Sequence, residues 1–185
     1  MDYEAKTEET PFTPEMEAGL RQIVRDRAAA ELERLAEAIG DDEAFVHLPR
    51  AAAAAFNLEQ FDAADHLAQR ALALAPRFLN DWNHGNAVHL GHTVLGLLAL
   101  QTRDHAAALA HLHESGQSPG SPQLNSFGPT MQLAKALLRI GEVEPVLAYL
   151  KQCRTFWKLG GTWLDLWERK IRAGDVPNFF QHSHV

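Results

Sequence analysis

Apolar residues recur every three or four positions through most of the chain, a spacing that predicts α-helices. The first such stretch begins at Thr13-Pro14, where a threonine can cap a helix and a proline fits its first turn. Its apolar stripe consists of Leu20, Ile23, Val24, Ala28, Leu32, Leu35 and Ile39. Segments with the two-residue alternation of β-strands are almost absent. The pattern therefore predicts an all-α protein with a long N-terminal helix over residues 13–40.

The two ends of the chain differ from this pattern. Residues 1–12 are polar and acidic, with few apolar side chains to bury, so we expect a disordered tail before a single helical domain over residues 13–185. Residues 161–174 place Trp163, Leu164, Trp167 and Ile171 on one stripe, which predicts a capping helix that ends at Gly174. The last residues, 181–185, are expected to be mobile.

Between these ends, three helical pairs are predicted over residues 44–76, 81–115 and 123–158. A small residue occupies the equivalent position of each pair, namely Ala52, Gly96 and Ala134. Small side chains let two helix backbones approach closely, and each pair must bury its apolar face against a neighbour. Pro49 lies in the first helix of the first pair and predicts that this helix is short or kinked.

The segment from Asn57 to Pro76 resembles the second half of a tetratricopeptide repeat. In that family an aromatic residue follows the turn, small residues mark the helix contacts and a proline closes the unit, as Phe61, Ala64 and Pro76 do here. The resemblance implies a short right-handed α-solenoid of about three tetratricopeptide-like hairpins. Because the family repeats about every 34 residues, it also implies insertions at Arg77–Gly85 and Gly116–Pro122.

Tetratricopeptide-like proteins commonly bind a peptide in a groove made by the first helix of each pair. The resemblance implies that the groove residues here are Phe56, Asn57, Thr93, Leu97, Leu100, Gln101, Met131, Lys135, Leu138 and Arg139. The function it implies is a non-catalytic module that binds a protein or peptide segment.

An alternative function starts from the polar run between Asn80 and Asn86. So many side-chain donors together are unusual for a structural loop, and His89 and His92 are spaced to share one helix face. The candidate residues for an enzyme, or for a small-ligand or metal binder, are Asp81, Asn83, His84, Asn86, His89 and His92. No metal site and no cofactor are predicted, because His-Glu-x-x-His, paired cysteines, phosphate loops and dinucleotide-binding glycines are all missing.

Charge and composition bear on the remaining classes of function and on the location of the protein. The net charge of −7 lies in residues 1–43, whose balance is −8, and no basic cluster suited to nucleic acid follows. No apolar run approaches the roughly 18 residues of a membrane span, and the single Cys153 excludes an internal disulfide, so we expect a cytoplasmic protein. Cys153 itself is expected to be buried and inert. We expect a monomer, with pairing of two copies through the acidic helix 13–39 as the alternative.

Overall fold

The computed structural model describes residues 8–9 and 12–185. Within these residues the protein consists of α-helices and single turns of 3₁₀-helix, without a β-strand, which confirms the all-α prediction. The helices are α1 Pro14–Glu37, α2 Gly40–Asn57, α3 Phe61–Leu74, α4 His84–Gln101, α5 His105–Gly116, α6 Pro122–Phe127, α7 Gln132–Arg139, α8 Val143–Phe156 and α9 Gly161–Arg172. No helix in this described part is both long enough and apolar enough to cross a membrane.

Helices that follow one another along the chain pack as pairs. Helix α2 packs on α3, α4 on α5, and α7 on α8, while α3 also contacts α4 and α5 also contacts α7. The first helices of the pairs contact each other, α2 with α4 and α4 with α7. The small residues predicted to mark the close approaches, Ala52, Gly96 and Ala134, are all buried.

Helix α1 lies on α2 and buries a narrower stripe than predicted. The Oγ1 of Thr13 accepts a hydrogen bond from the Met16 backbone N–H, at 3.3 Å, so the expected N-cap is present. The helix ends at Glu37, and Gly40 begins α2 instead of ending α1. Ile23 is exposed because α1 packs mainly on α2 and can bury only the residues that face it, and Ile39 is exposed because it lies in the link between these two helices.

The chain end after α9 packs into the core. Gly174 terminates α9 with a positive φ of 89°, as predicted. Beyond it, Phe179 is fully buried and meets Trp167 edge to face, with 5.0 Å between ring centroids. Residues 181–185, for which the sequence predicted a mobile end, lie against the protein, where Thr130, Gln132 and Asn57 bond the backbone of residues 182–185. The predicted tail over residues 1–12 falls largely outside the described residues. Of those that are described, Glu9 has a buried side chain whose carboxylate bonds Lys170.

Helix α2 contains Pro49 in its interior yet continues without interruption to Asn57. A proline has no N–H, so the carbonyl four residues earlier, that of Phe45, loses its helical partner. The side-chain amide of Asn83 donates to this carbonyl at 2.9 Å, and to the Val46 carbonyl at 3.1 Å. Asn83 thereby supplies the donor that Pro49 lacks, which explains why the shortened helix predicted from Pro49 does not occur.

This pairing predicts a double-mutant cycle. Asn83→Ala should lower the free energy of unfolding by about 2 kcal/mol, since it leaves the buried Phe45 carbonyl without a donor. In a Pro49→Ala background the backbone gains an N–H at this position that can bond the same carbonyl, so Asn83→Ala should cost about 1 kcal/mol less there. Urea denaturation of the four proteins measures the difference, with exposed Asn80→Ala as the control. If Asn83→Ala lowers the free energy of unfolding equally in both backgrounds, Asn83 does not replace the donor that Pro49 lacks.

Candidate functional site

A cavity of about 700 Å³ lies between α1, α2, α4 and α7; we call it the wide cavity. Six of the ten residues that the resemblance assigned to a groove line it: Phe56, Asn57, Leu97, Gln101, Lys135 and Arg139. Helix α1 adds a wall that the sequence did not assign to the site, with Glu17, Arg21, Val24 and Arg25. Helices that are far apart in sequence thus bring most of the predicted groove residues to one place.

The remaining four predicted groove residues lie elsewhere. Met131 is fully buried and Leu138 nearly so, and both belong to the main hydrophobic core. Thr93 is buried and its hydroxyl donates to the backbone oxygen of His89 at 2.7 Å. Leu100 packs partly buried against the core. These four side chains are buried or partly buried in the protein and do not line the cavity.

Cations converge on one side of the wide cavity. Arg21 and Arg139 are exposed and form no ion pair with the described residues. The buried Lys135 has its pKa lowered, chiefly by burial, with repulsion from Arg139 and Arg21 acting in the same direction and Glu17 opposing. Its Nζ donates to the Asn178 backbone oxygen at 3.0 Å. Four cations, Arg21, Arg25, Lys135 and Arg139, and two glutamates, Glu17 and Glu59, line this cavity, so its wall carries a net positive charge although the whole chain is acidic.

A second cavity of about 400 Å³, the narrow cavity, lies beside the first. It is lined by Arg50 of α2, by Asn83, Asn86, His89 and Leu90 around α4, by Gln123, Leu124 and Phe127 of α6, by Gly128, Pro129 and Thr130, and by His182, His184 and Val185. Its wall combines one exposed guanidinium with three imidazoles, several amides and apolar side chains. Sequence patterns could not have found Arg50 or α6 here, because neither shows a ligand spacing.

The polar cluster proposed as an alternative site is only partly brought together. Asn83, Asn86 and His89 line the narrow cavity, but Asp81, His84 and His92 do not. The Asp81 carboxylate accepts from the Asn83 backbone N–H at 2.7 Å, and the His84 ring bonds the Ala75 oxygen at 3.1 Å. These two residues therefore stabilise the turn into α4.

The histidines of this cluster also point to different neighbours. The Nδ1 atoms of His92 and His111 lie 3.0 Å apart, so at least one of these rings is neutral, and burial lowers the pKa of both. His89 instead faces the loop before α7. Its Nε2 accepts from the Thr130 backbone N–H at 3.1 Å, and its Nδ1 lies 3.4 Å from the Ser115 oxygen.

Complete burial lowers the pKa of His89 to about 4, so its ring is neutral at physiological pH. Both ring nitrogens are occupied, with Nε2 as acceptor and Nδ1 as donor, and neither is left for a metal or a substrate. Within the part of the chain that the structure describes, no group of three histidine, cysteine or acidic residues is placed to hold a metal ion. His89 therefore acts as a connector between α4, α5 and the loop before α7.

A short non-helical stretch of the chain, residues 183–185, separates the two cavities. His184 borders both of them, Ser183 borders the wide cavity, and Val185 borders the narrow one. The neighbouring helices hold this stretch by its backbone. Thr130 Oγ1 donates to the His184 oxygen at 2.7 Å and Asn57 Nδ2 to the Val185 oxygen at 2.8 Å, while Gln132 Oε1 accepts from the Val185 N–H at 2.7 Å.

Comparison with known proteins adds no assignment. No protein-family model, no curated protein and no solved structure matches the chain. The tetratricopeptide resemblance therefore stays a prediction from the sequence.

The pKa of His89 predicts a loss of stability in acid. The unfolded chain binds a proton at this residue below about pH 6.5, whereas the folded protein does so only near pH 4, so stability present above pH 6.5 is lost as the pH falls between these values. At pH 5 the His89 contribution to this loss is about 2 kcal/mol. Urea denaturation at pH 7.5 and pH 5 should show a smaller loss for His89→Phe than for the wild type. The control is His105→Phe at an exposed position, which should lose as much stability between pH 7.5 and pH 5 as the wild type does. If His89→Phe also loses as much as the wild type, then His89 is not the residue whose protonation destabilises the protein.

Proposed function

We propose that this protein is a non-catalytic module that binds a short non-helical segment of a partner protein on the face made by α2, α4 and α7. In this proposal the pairs α2/α3, α4/α5 and α7/α8 are three tetratricopeptide-like hairpins of a right-handed α-solenoid, with α1 and α9 at its ends. The order of helix contacts supports it, because each pair touches the next and the first helices touch one another. The buried small residues at equivalent positions also support it.

The observation that carries the proposal is the position of residues 183–185 and the hydrogen bonds that hold them there. A peptide stretch of this chain already lies between α2 and the start of α7, and polar side chains bond its backbone oxygens and N–H groups. Hydrogen bonds to the main chain are the means by which many peptide-binding domains gain affinity, while pockets beside the peptide add selectivity. The wide cavity beside this stretch leaves room for further residues of a bound segment.

Catalysis has less support from the same residues. Polar groups of the candidate cluster already form hydrogen bonds within the protein. Asn83 bonds a carbonyl of α2, His89 bonds the loop before α7, and His92 bonds His111. The thiol of Cys153 is buried and its pKa is raised by burial, so it is not a thiolate at neutral pH. A small-ligand function would have to rest on the narrow cavity alone.

The free protein is proposed to be a monomer. Three residues of the apolar stripe predicted for α1 already pack within the same chain: Ala28 is buried, and Leu32 and Leu35 pack against the core. Charged side chains, four acidic and four basic, make up half of the exposed residues of α1, so this helix offers no continuous apolar surface to a second copy.

A substitution that fills the wide cavity tests the binding face. Gln101 is exposed at the end of α4 and lines this cavity, so Gln101→Trp should block it while changing the free energy of unfolding by less than about 0.5 kcal/mol. Peptides enriched from a displayed random library on the wild-type chain should bind this variant at least about tenfold more weakly. Fluorescence anisotropy with labelled peptides gives the affinities.

The matched control is Gln69→Trp, on the exposed face of α3 away from the cavities, which should bind the same peptides as the wild type does. Peptides that bind both tryptophan variants equally well would place the binding surface elsewhere and overturn the proposal.

A further inference from the structure

The last part of the chain is held in two different ways. Residues 177–182 belong to the core: Phe179 is fully buried against Trp167, and His182 stacks beside Trp157 with 4.9 Å between ring centroids. The Nδ1 of His182 lies 3.0 Å from the Pro129 oxygen, and its own backbone oxygen accepts from the Met131 N–H at 2.6 Å. This part can leave its place only if the core opens.

Residues 183–185 are held more lightly. Ser183 is buried and bonds the Phe180 oxygen through its N–H and its hydroxyl, whereas His184 and Val185 are only half-buried. The three bonds from Thr130, Gln132 and Asn57 all end on backbone atoms of His184 and Val185. None of these three bonds depends on which side chain residue 184 or 185 carries. Another peptide backbone placed in the same register would satisfy the same three groups.

Val185 supplies the main apolar contact of the stretch. It borders a recess of about 270 Å³ whose apolar lining comes from Val24 and Ala28 of α1, Ala53 and Ala54 of α2, and Leu90 of α4. The polar residues Arg27, Glu31, Arg50 and Asn57 line the rest of the recess. Burial of an aliphatic side chain in such a recess is favourable because it removes apolar surface from water. An aliphatic residue is therefore the side chain that this end of the site selects.

The stretch also divides the space around it. The wide cavity ends against Ser183 and His184, and the narrow cavity ends against His184 and Val185. If residues 183–185 moved away, the two cavities would join into one channel from α1 to α6, with Arg21, Lys135 and Arg139 at one end and Arg50 at the other. A partner segment longer than three residues needs that continuous space.

We infer that residues 183–185 are an internal occupant of the binding face, and that a partner segment with an aliphatic residue at the Val185 position binds by displacing them. This inference rests on the proposed function. A protein whose site is filled by its own chain binds a partner more weakly by the fraction of molecules in which the site is open. The core packing of residues 177–182 keeps the occupant beside its site at high effective concentration after it is displaced.

The first test loosens the occupant within the full chain. His184→Gly with Val185→Gly keeps the backbone bonds possible but removes the apolar contact and the stiffness of the stretch. Peptides enriched from a random library on this variant should carry an aliphatic residue at one fixed position and should bind the variant about tenfold more tightly than the wild type. Leu79→Gly with Asn80→Gly, in an exposed turn away from the cavities, is the control and should bind as the wild type does.

The second test holds the occupant in place. In the full chain with Asn57→Cys and Val185→Cys, a cleavable bis-maleimide should join the two introduced thiols, since native Cys153 is buried and does not compete for the reagent. The cross-linked protein should bind the enriched peptides at least about tenfold more weakly than the same protein after the linker is cleaved. Hydrogen exchange of the wild type should also become faster in residues 183–185 when a peptide binds.

These outcomes separate the two proposals. Equal affinities for the wild type, the glycine variant and the cross-linked protein, together with weaker binding to Gln101→Trp, would overturn the internal occupant and leave the peptide-binding function standing. Failure of any peptide to enrich on the glycine variant would overturn both.

Discussion

Helix α2 packs against α1, α3 and α4 at once, and its run of five alanines from Ala51 to Ala55 makes these contacts possible. All five are buried, and their small side chains let neighbouring helices approach on several sides of one backbone. Larger residues at these positions would force the neighbours apart. The wide cavity has α1, α2 and α4 among its walls, so its width follows from how closely α2 holds its neighbours.

The entry of α4 is tied to α2 by a polar contact with a clear cause. Pro49 leaves a helical carbonyl unbonded in the middle of α2, and Asn83, the residue before α4, bonds it. A buried carbonyl without a donor is costly, so this contact positions Asn83 accurately. Asn86 follows one turn later and borders the narrow cavity. The carbonyl that Pro49 leaves unbonded in α2 thus determines where α4 begins beside the narrow cavity.

Much of the fold, but less of the site, could be predicted from the sequence. Periodicity identifies helices well because each must bury one face, and the cap at Thr13 and the stop at Gly174 are local signals. The start of α2 at Gly40 and the continuity of this helix through Pro49 depend on residues distant in sequence, which no local pattern contains. For the same reason the polar run around Asn83 suggested a ligand site, when its amide bonds a backbone carbonyl of α2.

The stretch 183–185 shows why the occupant of a site is harder to predict than its walls. An irregular segment has no periodicity, and the three groups that hold it, on Asn57, Thr130 and Gln132, recognise backbone atoms that every residue possesses. The site can then select between segments only through contacts to their side chains. These contacts are available in the apolar recess at Val185 and at the cations Arg21 and Arg139. The chain's own stretch uses the recess but brings no carboxylate side chain to the cations. A partner that supplied both an aliphatic residue and a negative charge would therefore have an advantage over residues 183–185 that the backbone bonds alone cannot provide.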